Sequence, residues 1–570
     1  MTAMAKLFEP IEIHGLMIPN RIVMPPMTTR LAASDGTVTP PLIQYYASRA
    51  DGGAGLITIE MCSPEPAGRH RAGELGVYED RFLPGLRRLT ARVAEAGARA
   101  AIQIGHAGGH TRQDVTGYSP VAPSAVPHVV QEIDTRTIVP EALTSDGIRA
   151  LVTAFATAAE RAIRAGFDAV EIHGAHGYLI AQFLSPLDNR RTDAYGGSLH
   201  NRARFALEVI QACRQRAPDL PLIFRFSADE FAPGGLTLAE AKEVACWAVE
   251  AGADALHVSA GCYRSLPSGA VMIPPMAYRE GVFIDLAAAV KKRVRVPVIA
   301  VGRLHDPALA SRVIEEGLAD MVALGRQLIA DPEWPRKVRD GRTEEIRPCI
   351  ACNTCIDGMR QGATIGCLVN PLAGHETEYV DAPNPTPRSI LVVGGGPAGM
   401  EAARTLTIRG HRVALFEREP QLGGRLRLAA KAPVFQNVET EEQVILKFVT
   451  FLARELHRLR VDVKLGHAVT PAVVEALKPD VVVLATGAVY RFPLELIVPR
   501  VLAAKPGWLK ALFRWPAFKQ LFYSVMRKPD VRLERRIRAL GVDVRRIGDC
   551  SRPRKTPEAM TDAMTLAYRL

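Results

Sequence analysis

Hydrophobic positions in the first 330 residues repeat one local theme. An amphipathic helical stretch ends at glycine, and a short β-branched run follows it. Clear cases are RVAEAGARAAIQIG (92–105), RAIRAGFDAVEIHG (161–174), WAVEAGADALHVSAG (247–261) and VIEEGLADMVALGR (313–326). The glycine suits a left-handed helix cap, and the apolar run suits a strand buried on both faces. Ile22–Pro25, Leu56–Glu60, Leu222–Ser227 and Val296–Val301 complete a set of eight strands. Helical segments separate them at intervals that suit parallel crossovers, which predicts a (β/α)8 barrel; an open doubly wound sheet is the alternative.

Barrel enzymes work at the C-terminal ends of their strands. Those ends read Pro25-Pro26-Met27-Thr28, Glu60, Gln103 with His106, His173 with His176, Arg225, Ser259, Gly302-Arg303 and Gly325-Arg326. The last two glycine–arginine pairs follow the seventh and eighth strands, where a phosphate is commonly held. Ion pairing with nearby carboxylates is the competing use of those arginines.

The pattern changes after residue 382. Pro383-Asn-Pro-Thr-Pro-Arg388 denies helix and interior strand and reads as a linker. Then SILVVGGGPAGM (389–400) runs a buried strand into Gly394-x-Gly396-x-x-Gly399 and on into a helix, and Glu417 closes the second strand. Glycines permit the tight turn and the approach of a pyrophosphate, and the acid accepts a ribose hydroxyl. Strand, glycines, helix and acid in register predict an adenine dinucleotide site. Gly423-Gly424-Arg425 and the strand VVVLATGA (481–488) continue the pattern. Gly548-Asp549 returns to it, with Asp549 placed for a ribityl or pyrophosphate contact.

Four of the nine cysteines fall between the two patterns, as C-x2-C-x2-C-x11-C: Cys349, Cys352, Cys355 and Cys367. Two-residue gaps let successive thiolates converge, and the fourth returns from a loop. That spacing fits a [4Fe-4S] cluster better than zinc, which prefers two separated pairs. The other five cysteines read as packing residues.

Composition is that of a folded globular chain, with 48% hydrophobic and 23% charged residues. The 570 residues suggest three or four domains, at roughly 150 residues each. No uncharged apolar run reaches the length of about 18 residues that a spanning helix requires. No signal-peptide apolar region leads the chain, so a cytoplasmic location is expected. The net charge is +11, and residues 489–547 hold 14 Lys/Arg against four acids, which accounts for +10 of it. The basic balance therefore belongs to one segment and gives no support to nucleic-acid binding.

These motifs, in this order, resemble the multidomain branch of the Old Yellow Enzyme family, which includes 2,4-dienoyl-CoA reductase, 2-enoate reductase and trimethylamine dehydrogenase. The likeness rests on LFEPIEIHGLMIPNRIVMPPMT, QIGHAG, EIHGAHGYLIAQFLSPLDNRRTDAYGGSLHNRARF, CIACNTC and GGGPAG. It implies FMN in the barrel, a [4Fe-4S] relay, and FAD (or ADP in its place) in the second nucleotide domain. It places FMN against Pro25, Met27, Thr28, Gln103 and Arg225, with its phosphate on Gly302, Arg303, Gly325 and Arg326. It makes His173 and His176 the donors that hold a substrate carbonyl oxygen, and Tyr178 the acid that protonates the α-carbon.

Two departures from the family stand out. Residues 24–30 carry no cysteine for a covalent flavin link, and Met61 and His173 occupy positions that are tyrosines in trimethylamine dehydrogenase, which argues against amine oxidation. Between Gly487 and Gly548 only 60 residues intervene, without a second G-x-G-x-x-G, where relatives insert an NAD(P)H-binding domain. The expected organisation is a barrel (1–345), a cluster segment (346–382), a Rossmann-like FAD domain (388–488 with 547–570) and a basic aromatic insertion (489–546). Within the insertion, PGWLKALFRWPAFKQLFYSVMRK (506–528) suits an anionic membrane surface or an acidic redox partner; a cover packed on its own barrel is the alternative. The expected activity is reduction of the C=C bond of an α,β-unsaturated carbonyl or thioester, a small molecule, with electrons passing from FAD through the cluster to FMN. A dehydrogenase running in reverse to a carrier protein, and a non-catalytic electron-transfer subunit, are the alternatives.

Overall fold

The computed structural model describes residues 4–129, 137–379, 384, 386–435, 438–490, 527–529 and 531–570, with isolated positions between 501 and 521. Two compact units emerge. One comprises 1–341 with 356–365, and the other 342–355 with 366–570.

In the first unit, eight parallel strands close into a barrel in sequence order: Ile22–Met24, Leu56–Cys62, Arg99–Ile104, Ala169–Gly174, Leu222–Ser227, Ala255–Ser259, Val298–Ala300 and Met321–Ala323. All eight expected strands are present, and the open sheet is excluded. The helices between them begin where a hydroxyl or carboxylate can cap the first turn. Thr39, Thr144, Ser198, Thr237 and Asp306 each accept a backbone N–H there, and Thr237 with Glu240 forms a reciprocal capping box.

Side chains alternate in and out along a strand, so inward residues stack in layers. The lowest layer is apolar: Ala101, Ala169, Ile223, Ala255, Ile299 and Met321 pack with Ile13 and Ile18. The latter two come from a hairpin, Ile11–Ile13 with Leu16–Ile18, that closes the base. Two residues further along the same strands the inward positions turn polar: Gln103, Glu171, Arg225 and His257. The change of layer from apolar to charged marks where the core ends and the site begins.

The second unit holds a five-stranded parallel sheet, in the order Asp462–Leu465, Arg412–Glu417, Ser389–Val393, Val481–Leu484, Asp543–Arg546. Helix Pro397–Ile408 packs against helices Glu442–Arg458 and Thr556–Arg569. After Leu484 the chain leaves the sheet and later returns to it beside that strand. The excursion starts and finishes on a two-stranded ribbon, Ala488–Tyr490 antiparallel to Arg527–Pro529. Most of 491–526, and so most of the basic aromatic stretch 506–528, lies outside the described residues. Among those described, Trp508 and Trp515 are exposed, at 59% and 66%.

Candidate active site and nucleotide sites

His173 is the penultimate residue of the fourth barrel strand, and His176 follows in the turn beyond it. Their rings lie 5.3 Å apart and nearly perpendicular. His176 adopts a left-handed conformation, φ 66°, which is uncommon for a residue with a side chain and turns its ring into the barrel mouth. It is held there by Ser227 Oγ, 3.1 Å from its backbone N–H, and by Ser259 Oγ, 2.7 Å from its Nε2. His173 Nδ1 is buried and has no hydrogen-bond partner among the described residues. Burial and the charge of Arg225 hold both imidazoles well below their ordinary pKa. Both are therefore neutral at pH 7, and each has a single ring N–H to donate.

Tyr178 stands 5.1 Å from His173, between ring centres, at the start of helix Leu179–Leu184. Its hydroxyl lies 3.1 Å from Nδ1 of His70, a buried residue from the loop after the second strand. Tyr263, His110 and His70 complete an aromatic rim around it, with centroid separations from Tyr178 of 5.9, 6.2 and 5.5 Å. Met61 and Ala107 pack against Tyr178 from the apolar side.

Glu171 lies below the histidine pair and is fully buried. Its Oε1 accepts from Gln103 at 2.7 Å and lies 3.9 Å from Arg225; its Oε2 faces His257 Nδ1 at 2.8 Å. Burial pushes the carboxyl up, but His257, Arg225 and Gln103 together bring it below its ordinary value. An ionised Glu171 thus anchors the two side chains, Gln103 and Arg225, that were expected against a flavin ring. The Nε of Arg225 is buried and has no hydrogen-bond partner among the described residues.

The remaining barrel residues of the expected flavin site gather around the first and last strands. A Cβ on Gly325 would come within 3.0 Å of Met27 Sδ and 3.4 Å of Pro25 Cγ. Thr28 Oγ1 accepts from Arg71 at 3.4 Å. Gly302 has φ 116°, and a Cβ there would lie 2.7 Å from the Phe283 ring, so only glycine fits. Arg303 donates to the carbonyl oxygens of Pro275 and Met276, at 3.3 and 2.9 Å, and Arg326 to that of Pro274 at 2.8 Å. Backbone carbonyls thus help to orient both arginines. The donor set fits a phosphorylated flavin.

In the second unit the three glycines of the fingerprint differ in their surroundings. A Cβ on Gly394 would meet Ala485 O at 2.4 Å, and one on Gly399 would meet Gly394 O at 1.9 Å, whereas nothing lies within 4 Å of Gly396. The first and third glycines serve close packing, and the second borders open space at the start of helix Pro397–Ile408. Glu417 Oε2 accepts from the Gly395 N–H at 2.7 Å. Gly424 starts the short helix that holds Arg425 and approaches Gly396, whose Cα a Cβ would meet at 2.9 Å. Asp549 accepts from the Arg554 N–H at 2.9 Å and pairs with Arg527.

The four cysteines of the C-x2-C-x2-C-x11-C run all belong to this unit. Ala351 and Asn353, between the first three, take left-handed conformations (φ 46° and 57°), so the loop curls around a centre. Burial first, then the proximity of Cys355, Cys352 and Cys349, raises the Cys367 thiol well above its ordinary value. Among the described residues no three His, Cys, Asp or Glu donors are gathered closely enough for a single metal ion. A [4Fe-4S] cluster takes one thiolate on each of four irons, a donor set that these four cysteines would supply.

The match to known families is decided by the barrel: residues 6–345 fit the NADH:flavin oxidoreductase / NADH oxidase family. The chain belongs to that family. Residues 389–547 match the FAD dependent oxidoreductases. The NADH oxidase of Thermoanaerobacter brockii is 44% identical over 511 residues, covering 89% of this chain and 75% of its own length. The cinnamate reductase of Clostridium sporogenes is 36% identical over 511 residues, 85% and 74% of the two chains. Among solved structures, a 2-naphthoyl-CoA reductase bound to 2-naphthoyl-CoA superposes with a TM-score of 0.90 at 26% identity, over 99% of both chains. This member of the NADH:flavin oxidoreductase family is thus a flavin-dependent oxidoreductase, with an FMN-binding barrel and an FAD domain. No described helix is long and apolar enough to cross a membrane.

Sequence reasoning missed several residues of the family member's barrel mouth: His70, His110, Glu171, His257, Tyr263 and Arg360. Glu171 and His257 did carry a signal, since each is ionisable in the middle of an otherwise apolar strand. His70 and Tyr263 sit in connections, where only the fold brings them to Tyr178, and Arg360 ends a short helix that only the fold brings to Tyr263.

Proposed function

We propose that the enzyme reduces the C=C bond of an α,β-unsaturated carbonyl compound. The carrying observation is the pairing of two buried, neutral imidazoles with a tyrosine at the barrel mouth. An N–H from each of His173 and His176 points at one carbonyl oxygen and stabilises the negative charge that gathers there. Tyr178 supplies the proton to the α-carbon, His70, on its hydroxyl, orients it, and water returns a proton to the phenolate. Arg225, set by Glu171, places positive charge in the bed of the site. FMN held by Pro25, Met27, Thr28, Gln103, Arg225, Gly302, Arg303, Gly325 and Arg326 supplies hydride chemistry. Gly394, Gly396, Gly399, Glu417, Gly424, Arg425 and Asp549 would hold FAD, and Cys349, Cys352, Cys355 and Cys367 a [4Fe-4S] cluster that carries single electrons between flavins. The names of two relatives, a cinnamate reductase and a 2-naphthoyl-CoA reductase, support unsaturated acids or thioesters as substrates.

The test is anaerobic photoreduction of the whole protein, followed by mixing with a panel of enones and enoyl thioesters. Reoxidation of the flavin by at least one compound is expected, with a loss of about 100-fold or more in His176→Ala. A panel that leaves the flavin reduced would sink the proposal. A second reading runs the same residues in reverse, as a dehydrogenase that delivers electrons to a carrier protein. The short 488–547 stretch, with no second nucleotide fingerprint, favours it. Oxidised enzyme reduced by a saturated substrate, but never reoxidised by an enone, would select it.

A further inference from the structure

The segment between the third and fourth cysteines reaches the barrel mouth. Residues 356–365 pack with the barrel unit, and the Ile365 N–H donates to the Thr29 carbonyl at 2.8 Å. The helix Thr354–Arg360 ends there at Arg360, half-buried, with its guanidinium carbon 5.9 Å from the centre of the Tyr263 ring. Tyr263 stands 5.9 Å from Tyr178, and Tyr178 5.1 Å from His173. Side chains across the mouth therefore run from the histidine pair through Tyr178 and Tyr263 to Arg360.

Arg360 makes no ion pair among the described residues. Its neighbours are accounted for differently. Arg112 pairs with Asp114, Arg30 donates to the Ala72 carbonyl at 3.5 Å, and Arg71 reaches Thr28 Oγ1. Buried Glu74 accepts the backbone N–H groups of His70 and Arg71 and partly offsets Arg71. Burial first, then the charges of Arg71, Arg30, Arg112 and Arg360, keep the His70 imidazole from ionising. Such a field repels an ammonium group and attracts an oxyanion, and a guanidinium presents a planar fork suited to carboxylate or phosphate.

We infer that Arg360 binds an anionic group, carboxylate or phosphate, that the substrate carries on the side remote from the carbonyl held by His173 and His176. The inference rests on the proposed C=C reduction and names the substrate class more closely: an unsaturated carbonyl compound with a second, charged end. It also gives the cysteine segment a role in choosing the substrate.

Two matched pairs test it on the photoreduced full-length protein. Cinnamaldehyde is compared with 4-carboxycinnamaldehyde, and a cinnamoyl thioester of N-acetylcysteamine with cinnamoyl-CoA. In at least one pair, the anionic member is expected to half-saturate flavin reoxidation at a concentration about tenfold lower. Preference in the first pair identifies a carboxylate, and preference in the second alone a phosphate. Arg360→Gln should erase the preference while the maximal rates stay within about twofold, and Arg360→Lys should keep part of it. No preference in wild type, or a preference that survives Arg360→Gln, overturns the inference and leaves C=C reduction standing. If neither neutral compound nor its partner reoxidises the flavin, both the reading and the inference fall.

Discussion

The chemistry of the mouth is decided by which side chains are charged. His173 and His176 lie well below their ordinary pKa because burial and Arg225 oppose protonation. A pH profile of flavin reoxidation should therefore show no inflection near the usual histidine value of 6.5, because the pair is already neutral on both sides of it. Tyr178→Phe should slow the proton-dependent step by about 100-fold and leave substrate affinity within a few-fold, read as a fall in maximal rate at unchanged half-saturation. Glu171 carries the opposite kind of charge. Its native pKa lies below the ordinary carboxylate value, so its contribution to stability is complete above that value and is lost as pH falls through the native one. Glu171→Gln leaves Arg225 and His257 facing a neutral amide, and should cost about 3–5 kcal/mol in denaturant titrations of the whole protein. The histidine pair and Tyr178 were legible in the sequence because they sit three and two residues apart just past one strand. The Glu171 network was not, because it assembles across four strands whose register no local pattern states.

At the scale of single elements, the second barrel strand and the nucleotide fingerprint behave differently. Glu60 lies in that strand, fully buried, where its carboxylate accepts from the Thr29 N–H at 2.8 Å and from the Tyr46 hydroxyl at 3.3 Å. Burial pushes it up to about 8, from an ordinary value of 4.5. Between those values the native protein holds a proton that the unfolded chain has released, so stability falls as pH rises. Glu60→Gln should flatten that decline in a series of thermal midpoints taken across the window. The fingerprint helix depends on absent side chains instead. Gly399→Ala places a Cβ 1.9 Å from the Gly394 carbonyl, and should abolish retention of FAD, measured as flavin released on denaturing the purified protein. Its strand, glycines and acid were readable because each sits at a fixed offset within one βαβ unit. The rim formed by His70, His110 and Tyr263 was not, since it joins three separate loops.

For the molecule as a whole, the alternation of helix and strand specified the barrel, and the second sheet followed from its glycine turn. The return of Asp543–Arg546 to the sheet beside Val481–Leu484 had no such cue, because only four residues, two of them arginines, make the strand. Iron content tests the cysteine run at this scale: Cys367→Ser should remove the roughly four irons per chain that a cubane brings, while the barrel keeps its FMN. The basic stretch is a separate matter. If 506–528 docks on an anionic surface, deleting it should abolish sedimentation with anionic vesicles at low salt and leave reoxidation of the photoreduced flavin unchanged.

The interleaving of the two units also bears on how the chain is made. The barrel strands are complete once Ala323 has been synthesised, yet Arg360 and the Ile365 N–H that Thr29 holds arrive only after 342–355, which belong to the other unit. On the ribosome, then, all eight barrel strands have been made before the segment that supplies the last side of the mouth emerges, and that segment can dock only after the first three cysteines have emerged. Cys367 is the last of the four cysteines to leave the tunnel, so any group that needs all four can be bound only after the barrel strands have been made.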